Sequence, residues 1–185
     1  MNMFSLLEPQ QSAIGAGFNY KIAHRWDMST EFNYLFDGFW QGGDEYNSQG
    51  YRGIITVKRF SKSRIFFYGI DLRLKHYAFA DKRDFINAAI PDTLFNFRHD
   101  ASNTLWGVAA IVGVRLPISK NKRWALEINT GVGDKHRTVD RKNIPAGYTY
   151  YPNQLSTHYN FTRGQDITSD DNVYFPGTVR VMYFF

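Results

Sequence analysis

The sequence predicts an all-β protein. Apolar and polar residues alternate with a period of two along most of the 185 residues, as they do in strands, and apolar positions at helical spacing are scarce. Most alternating runs are about 10 to 15 residues long. Strands of soluble proteins average about 5–6 residues, whereas tilted strands that cross a bilayer need about 9–11. The connections between the runs alternate between short and long. Together these observations indicate an antiparallel β-barrel that spans a membrane.

The run from 123 to 133 shows the two faces of such a strand. One face is apolar and consists of Trp124, Leu126, Ile128, Thr130 and Val132. The other face is polar or small and consists of Ala125, Glu127, Asn129 and Gly131. A membrane barrel has lipid around it, so we expect the apolar faces to point outward and the polar faces inward.

Composition excludes several other classes of protein. The mean hydropathy is −0.42 and charged residues are spread along the chain, so a helical membrane protein is excluded. Aromatic residues make up 17% of the sequence, which excludes intrinsic disorder. The absence of cysteine excludes disulfide scaffolds, thiol nucleophiles and cysteine-ligated metal sites.

Eight strands are predicted. Their boundaries are 1–8, 12–23, 26–38, 50–61, 64–79, 104–118, 123–138 and 172–185. The connections at 24–25, 61–63 and 120–122 are tight and polar, and those at 39–49, 80–103 and 140–171 are long, with the short first connection at 9–11 as an exception. Outer-membrane barrels have short periplasmic turns and longer extracellular loops, and eight is their smallest common strand number. Residues 1–185 are therefore predicted to form one domain, an eight-stranded antiparallel transmembrane β-barrel with both termini periplasmic.

The aromatic residues fit the two membrane interfaces, where Trp and Tyr are enriched. The predicted girdle residues are Trp26, Trp124, Tyr183, Phe185 and Trp106. The chain ends in an alternating strand with Phe185 as its last residue. This end resembles the C-terminal signature of bacterial outer-membrane proteins, which implies recognition by the barrel-assembly machinery during biogenesis.

The predicted interior receives charges of both signs. The residues expected to form a lumenal charge network are Glu31, Asp71, Arg73, Arg115, Glu127 and Arg180. Buried charge is costly unless it is paired, and an eight-stranded barrel is just wide enough for its side chains to fill. We interpret the network as structural packing, with an ion pathway as the alternative.

Two stretches resemble a family of uncharacterised outer-membrane barrels common in Bacteroidetes. One is the pair of runs 105–115 and 122–133, and the other is the hairpin formed by 15–20 and 25–28. The resemblance covers most strands but not the long loops, and it implies an outer-membrane barrel without known catalytic residues. Met1 opens directly into strand-like sequence instead of a signal peptide. Two interpretations follow from this start, a mature or trimmed chain or a protein that never leaves the cytoplasm.

Enzymatic and ligand-binding alternatives depend on the loops. A lipid A deacylase of the PagL type has a His followed two positions later by Ser. His136 with Thr138 and His158 with Asn160 are the candidate pairs, and neither has the serine. A basic cluster formed by Lys135, Arg137, Arg141 and Lys142 suits the phosphates of lipopolysaccharide, with a solvated strand end as the alternative. No fixed spacing of metal ligands appears, and no basic stripe interleaved with aromatic residues points to nucleic acid.

The sequence thus predicts a non-enzymatic structural or accessory subunit of an envelope complex in the outer membrane of a Gram-negative bacterium. Its expected partners are outer-membrane lipid, lipopolysaccharide and another envelope protein. No cofactor or metal is expected. A lipid A-modifying hydrolase and a surface adhesin or ligand-binding barrel are the alternatives.

Overall fold

The computed structural model describes residues 2–3, 11–37, 45–121, 123–150 and 169–184. Ten strands lie in this part of the chain: β1 (Asn2–Met3), β2 (Gln11–Ala23), β3 (Trp26–Asp37), β4 (Glu45–Phe60), β5 (Phe66–Asn87), β6 (Ile90–Pro117), β7 (Trp124–Lys142), β8 (Tyr148–Tyr150), β9 (Ser169–Tyr174) and β10 (Gly177–Tyr183). Every strand pair is antiparallel. The all-β prediction is confirmed. The described part of the chain contains no helix long and apolar enough to cross a membrane.

All ten strands belong to one sheet. Its order is β1-β10-β7-β6-β5-β4-β3-β2, with β8 added beside β5 and β9 beside β7. Eight strands thus form the main path. The ladder does not close into a ring among the described residues, since β2 pairs only with β3 and β1 pairs only with β10.

The sheet is strongly curled. Strands β3 and β10 are five steps apart in the sheet order, which in a flat sheet would separate them by roughly 24 Å. Nevertheless Arg180 Nε on β10 lies 2.5 Å from Glu31 Oε1 on β3. Side chains from both ends of the sheet therefore meet on its concave face.

The polarity of the two faces is the reverse of that in a soluble sheet. Buried concave-face residues include Asp27, Ser29, Arg52, Lys58 and Glu127. Exposed convex-face residues include Phe18, Phe32, Ile70, Leu72 and Val112. A small apolar cluster of Phe60, Phe67, Ala109 and Ile111 fills the concave face toward the short turns. The alternation read from the sequence therefore has its polar side inward.

The prediction of a long loop at 80–103 is wrong. Strand β5 continues to Asn87 and β6 starts at Ile90, so this segment is a hairpin closed by Ala88 and Ala89. The paired strands are supported by Phe85 and Phe97, which stack with ring centroids 4.1 Å apart. At the turn, Asn87 Oδ1 accepts a hydrogen bond from Ala89 N. Such an Asx turn supports a tight reversal without glycine.

Three other predicted boundaries also shift. Strand β4 begins at Glu45, five residues before the predicted start, through an irregularity at Asn47, whose φ is 53°. The predicted last strand is interrupted at Phe175 and Pro176, because proline has no N–H to give to the ladder. The predicted loop at 140–171 contains the end of β7, all of β8 and the start of β9. Residues 4–8 of the first predicted strand lie outside the described residues.

Candidate functional site

Glu127 is the centre of the charged concave face. Strand β7 places its side chain inward, where it is fully buried. Its Oε1 accepts hydrogen bonds from Lys58 Nζ at 2.5 Å and Arg180 Nη1 at 3.3 Å. Its Oε2 accepts from Arg115 Nε at 3.0 Å and from Arg115 Nη2 at 2.9 Å. One carboxylate therefore connects β4, β6 and β10 to β7.

The network continues from Glu127 toward β3. Arg115 Nη1 donates to Asp27 Oδ2 at 2.7 Å, and Asp27 Oδ1 accepts from Arg64 Nη2 at 2.7 Å. Arg180 also pairs with Glu31 on β3. Three of the four cations contacting this region are arginines, whose several N–H groups let one side chain bind two carboxylates.

A second cluster lies around Asp71 on β5. Arg73 donates through Nε and Nη2 to Asp71 Oδ2 at 2.9 and 2.7 Å. Thr56 Oγ1 donates to Asp71 Oδ1 at 2.5 Å, and Arg73 Nη2 reaches Thr178 Oγ1 on β10 at 3.4 Å. Asp71 is thus fully buried with donors on both oxygens.

The six residues predicted for the charge network all have their side chains on the concave face. Glu31, Arg115, Glu127 and Arg180 are joined in one network, and Asp71 pairs with Arg73 beside it. Arg64 was missed by the sequence analysis. It lies in the turn between β4 and β5 with φ 57°, so no alternation indicated which way its side chain points.

This arrangement of ion pairs is suited to holding the curled sheet in a fixed shape. Each of the four carboxylates named above contacts at least one cation. Three of the ion pairs connect strands that are not neighbours in the sheet: Lys58–Glu127, Arg115–Asp27 and Arg180–Glu31. Lys58 and Glu127 are 69 residues apart in sequence and three steps apart in the sheet. We interpret these paired and hydrogen-bonded charges as fixing a specific geometry, since a buried ion pair adds little net stability over a well-packed apolar replacement.

Of the predicted girdle residues, Trp26, Trp124 and Tyr183 lie at strand ends, whereas Trp106 lies well inside β6, which spans Ile90–Pro117. Trp124 contacts Tyr183 on the neighbouring strand with ring centroids 4.9 Å apart. The Arg59 guanidinium lies 5.7 Å from the Trp26 ring, and Trp106 packs beside the His136 ring at 5.5 Å. Phe185 lies outside the described residues. The membrane-interface role of these side chains stays a prediction.

The predicted lipopolysaccharide contacts divide between the two faces of β7. Lys135, Arg137 and Arg141 occupy the same alternating positions as the inward-facing Glu127 and Asn129, and all three are partly buried. Lys142 is exposed and lies 3.9 Å from Asp140. A lipopolysaccharide contact by these four residues stays a prediction.

Of the two histidines considered for hydrolysis, only His136 belongs to the described residues. His136 Nε2 lies 3.4 Å from Thr138 Oγ1, a pair that shares one face of β7, and His158 lies outside the described residues. In the part of the chain that the structure covers, no group of three or more His, Asp or Glu side chains could hold a metal ion. Comparison with protein-family models, curated proteins and solved structures found no match for this chain.

Proposed function

We propose that this chain is an outer-membrane β-barrel with a structural, non-enzymatic role. The observation that carries the proposal is the reversed polarity of the sheet. Ile55, Leu72 and Val108 are register partners on three adjacent strands, and all three are exposed on the convex face. Such an apolar surface is unfavourable in water and favourable against lipid.

In this proposal the barrel closes through one further strand pairing, between β1 and β2. Asn2 and Met3 pair with Met182 and Val181, and Cα atoms of β1 come within 8 Å of β2. Strand β1 would then complete the ladder between β10 and β2. A transmembrane sheet needs that closure because lipid offers no partner for backbone N–H and C=O groups.

The interior argues for a structural protein instead of a solute pore. Lys58, Asp71, Glu127 and Arg180 are almost completely buried and hydrogen-bonded to one another or to neighbours. We infer that the ion pairs hold the barrel in shape. The long β5–β6 hairpin, opposite the short turns, would then extend outside the membrane and offer a surface to lipopolysaccharide or to another envelope protein.

The experiment that tests the proposal is insertion into lipid vesicles, followed by electrophoresis with and without boiling. A folded barrel is expected to resist urea extraction from the vesicles and to migrate faster before boiling. Extraction by urea and identical migration would contradict the barrel.

The accessory role is tested by mild-detergent extraction from native membranes, followed by sizing and mass spectrometry. A partner chain at constant stoichiometry is expected. A lone 21.5 kDa chain whose His136→Ala variant changes the mass of lipid A in cells would favour the hydrolase alternative.

A further inference from the structure

A cleft opens in the sheet where the last strand is interrupted. Strands β9 and β10 both pair with β7, and between them Phe175 and Pro176 leave the ladder. Gly131 N donates to Pro176 O at 3.0 Å at this point. The cleft has a volume of about 440 Å³ and is lined by Arg73, Asn129, Tyr174, Phe175, Thr178 and Val179, among others. That volume falls in the range of small-molecule sites.

Polar atoms without partners line the inner part of this cleft. Asn129 is only 3% exposed, and neither its Nδ2 nor its Oδ1 has a hydrogen-bond partner within the described ranges. The hydroxyl of Tyr174 is likewise buried and unpartnered there. An unsatisfied buried donor or acceptor is costly, so these groups are suited to a ligand.

Arg73 adds a positive charge to the same wall. Its Nε and Nη2 bind Asp71, and Nη2 also contacts Thr178. These contacts leave Nη1 available to an acceptor. The described cations of the concave face outnumber its carboxylates: Lys58, Arg64, Arg73, Arg115 and Arg180 pair with Asp27, Glu31, Asp71 and Glu127, and Arg52 is also buried on this face. This excess of positive charge favours an anion.

The mouth of the cleft is apolar. Phe175 is 78% exposed, Ile128 is also exposed, and Val179 lies beside them on the lining. These side chains belong to the convex face, which contacts lipid if the chain is a membrane barrel. The cleft therefore runs from a polar, positively charged end to an apolar end.

We infer that this cleft binds a long-chain carboxylate, a single-chain amphiphile with one negative charge. The inference rests on the proposed function, since the apolar mouth must face lipid. The carboxylate accepts hydrogen bonds from Arg73 Nη1, Asn129 Nδ2 and the Tyr174 hydroxyl, and the alkyl chain leaves past Phe175 and Val179. Among the described lining residues Arg73 is the single cation, and it already pairs with Asp71, so a phosphate carrying two negative charges would leave more charge uncompensated than a carboxylate does.

The test measures binding of radiolabelled palmitate to the full chain in an uncharged detergent, after electrophoresis without boiling has shown the folded form. Saturable binding at one site is expected, with methyl palmitate competing at least tenfold more weakly. Tyr174→Phe and Asn129→Leu are expected to weaken binding by about tenfold or more, the range of a hydrogen bond to a charged group. Because the Tyr174 hydroxyl and the Asn129 amide have no hydrogen-bond partner among the described residues, both variants are expected to fold.

Asn33→Leu is the matched control. Asn33 is also 3% exposed on the concave face and has an unpartnered Nδ2, but it lies on β3, away from the cleft lining. Palmitate affinity is expected to stay within twofold in this variant. Equal losses in Asn33→Leu and Asn129→Leu would overturn the assignment of the site.

The outcomes separate the inference from the proposed function. If the chain inserts into vesicles but binds no palmitate, or binds methyl palmitate equally well, the inferred carboxylate site is contradicted. The proposal of a membrane barrel is then unaffected. Unchanged binding in Tyr174→Phe and Asn129→Leu also overturns the cleft. A chain that does not insert into vesicles overturns both.

Discussion

Lys58 on β4 donates a 2.5 Å hydrogen bond to Glu127 on β7, across the concave face of the sheet, and both side chains are completely buried. Strands β5 and β6 lie between them in the sheet. The pair therefore depends on the curl of the sheet and also stabilises it. At a water-exposed position such a pair would contribute little to stability. Loss of one partner from a buried pair is strongly destabilising, because it leaves an uncompensated charge.

Removal of either partner is expected to destabilise the folded chain. Lys58→Met leaves Glu127 bound to Arg115 and Arg180, so we expect a loss of about 3 kcal/mol in the free energy of unfolding, the low end for a broken buried pair. Glu127→Gln weakens contacts to three cations at once, and we expect about 5 kcal/mol. Urea titration of the protein in vesicles measures both values.

The matched control for that experiment is an exposed pair on the same sheet. Lys142 and Asp140 lie 3.9 Å apart with both side chains about two-thirds exposed. Lys142→Met is expected to change stability by less than about 0.5 kcal/mol. Equal effects of Lys58→Met and Lys142→Met would show that the buried network does not brace the sheet.

A charge introduced by substitution on the convex face distinguishes a lipid-facing from a water-facing surface. Leu72 and Leu94 are similarly exposed, at 50% and 52%, but Leu72 lies in the middle of the sheet and Leu94 lies near the tip of the β5–β6 hairpin. Leu72→Arg is expected to destabilise the inserted protein by about 2–4 kcal/mol, as at a bilayer midplane. Leu94→Arg is expected to have almost no effect. Similar small effects of both substitutions on urea unfolding would argue against a bilayer around Leu72.

Close packing of β4 against β5 leaves no room for a side chain at Gly69. A Cβ added to Gly69 would collide with the backbone oxygen of Val57, whereas a Cβ added to Gly53 meets nothing within 4 Å. Gly69→Ala is expected to cost about 1–3 kcal/mol, since overpacking forces backbone shifts, and Gly53→Ala is expected to be neutral. Urea unfolding of the two alanine variants gives the comparison. If Gly69→Ala leaves the free energy of unfolding unchanged, β4 and β5 can move apart without an energetic cost, which would contradict close packing at this position.

The β5–β6 hairpin is expected to keep its shape through its aromatic side chains. Phe97 stacks on the fully buried Phe85, and His99 meets Phe85 edge-on at 5.2 Å. Phe97→Ala is expected to raise the rate of thermolysin cleavage within residues 82–98 by roughly tenfold or more, because truncating a packed Phe costs about 3 kcal/mol or more. Leu94→Ala, at an exposed position, serves as the control. Insertion into vesicles should be unchanged in both variants, and equal cleavage rates would contradict a packed hairpin.

Local alternation was enough to assign the inward and outward faces of most strands. Glu31, Arg115 and Glu127 point inward as their positions in the alternating runs predict, because a strand has an invariant period of two. Two strands, β2 and β3, lie within one residue of their predicted ends.

The pairing of particular charges could not be predicted in the same way. Lys58 contacts Glu127 only because the sheet order and curl bring distant strands together, and no local pattern specifies either. Arg64 contributes from a turn, where the period of two does not apply. The β5–β6 hairpin was missed because its turn, Ala88-Ala89, lacks the glycine and proline by which turns are usually recognised.

The central claim is that the convex face contacts lipid while the concave face holds buried charge. The chain has no cysteine, so single cysteines can be introduced at Ile70, Leu72, Val108 and Ile128 and carry spin labels in vesicles. The most direct measurement is the collision rate of each label with oxygen, which concentrates in lipid, and with a water-soluble nickel complex. We expect high oxygen and low nickel collision rates at these four positions, and the opposite at Leu94→Cys. High nickel collision rates at all five positions would contradict the account.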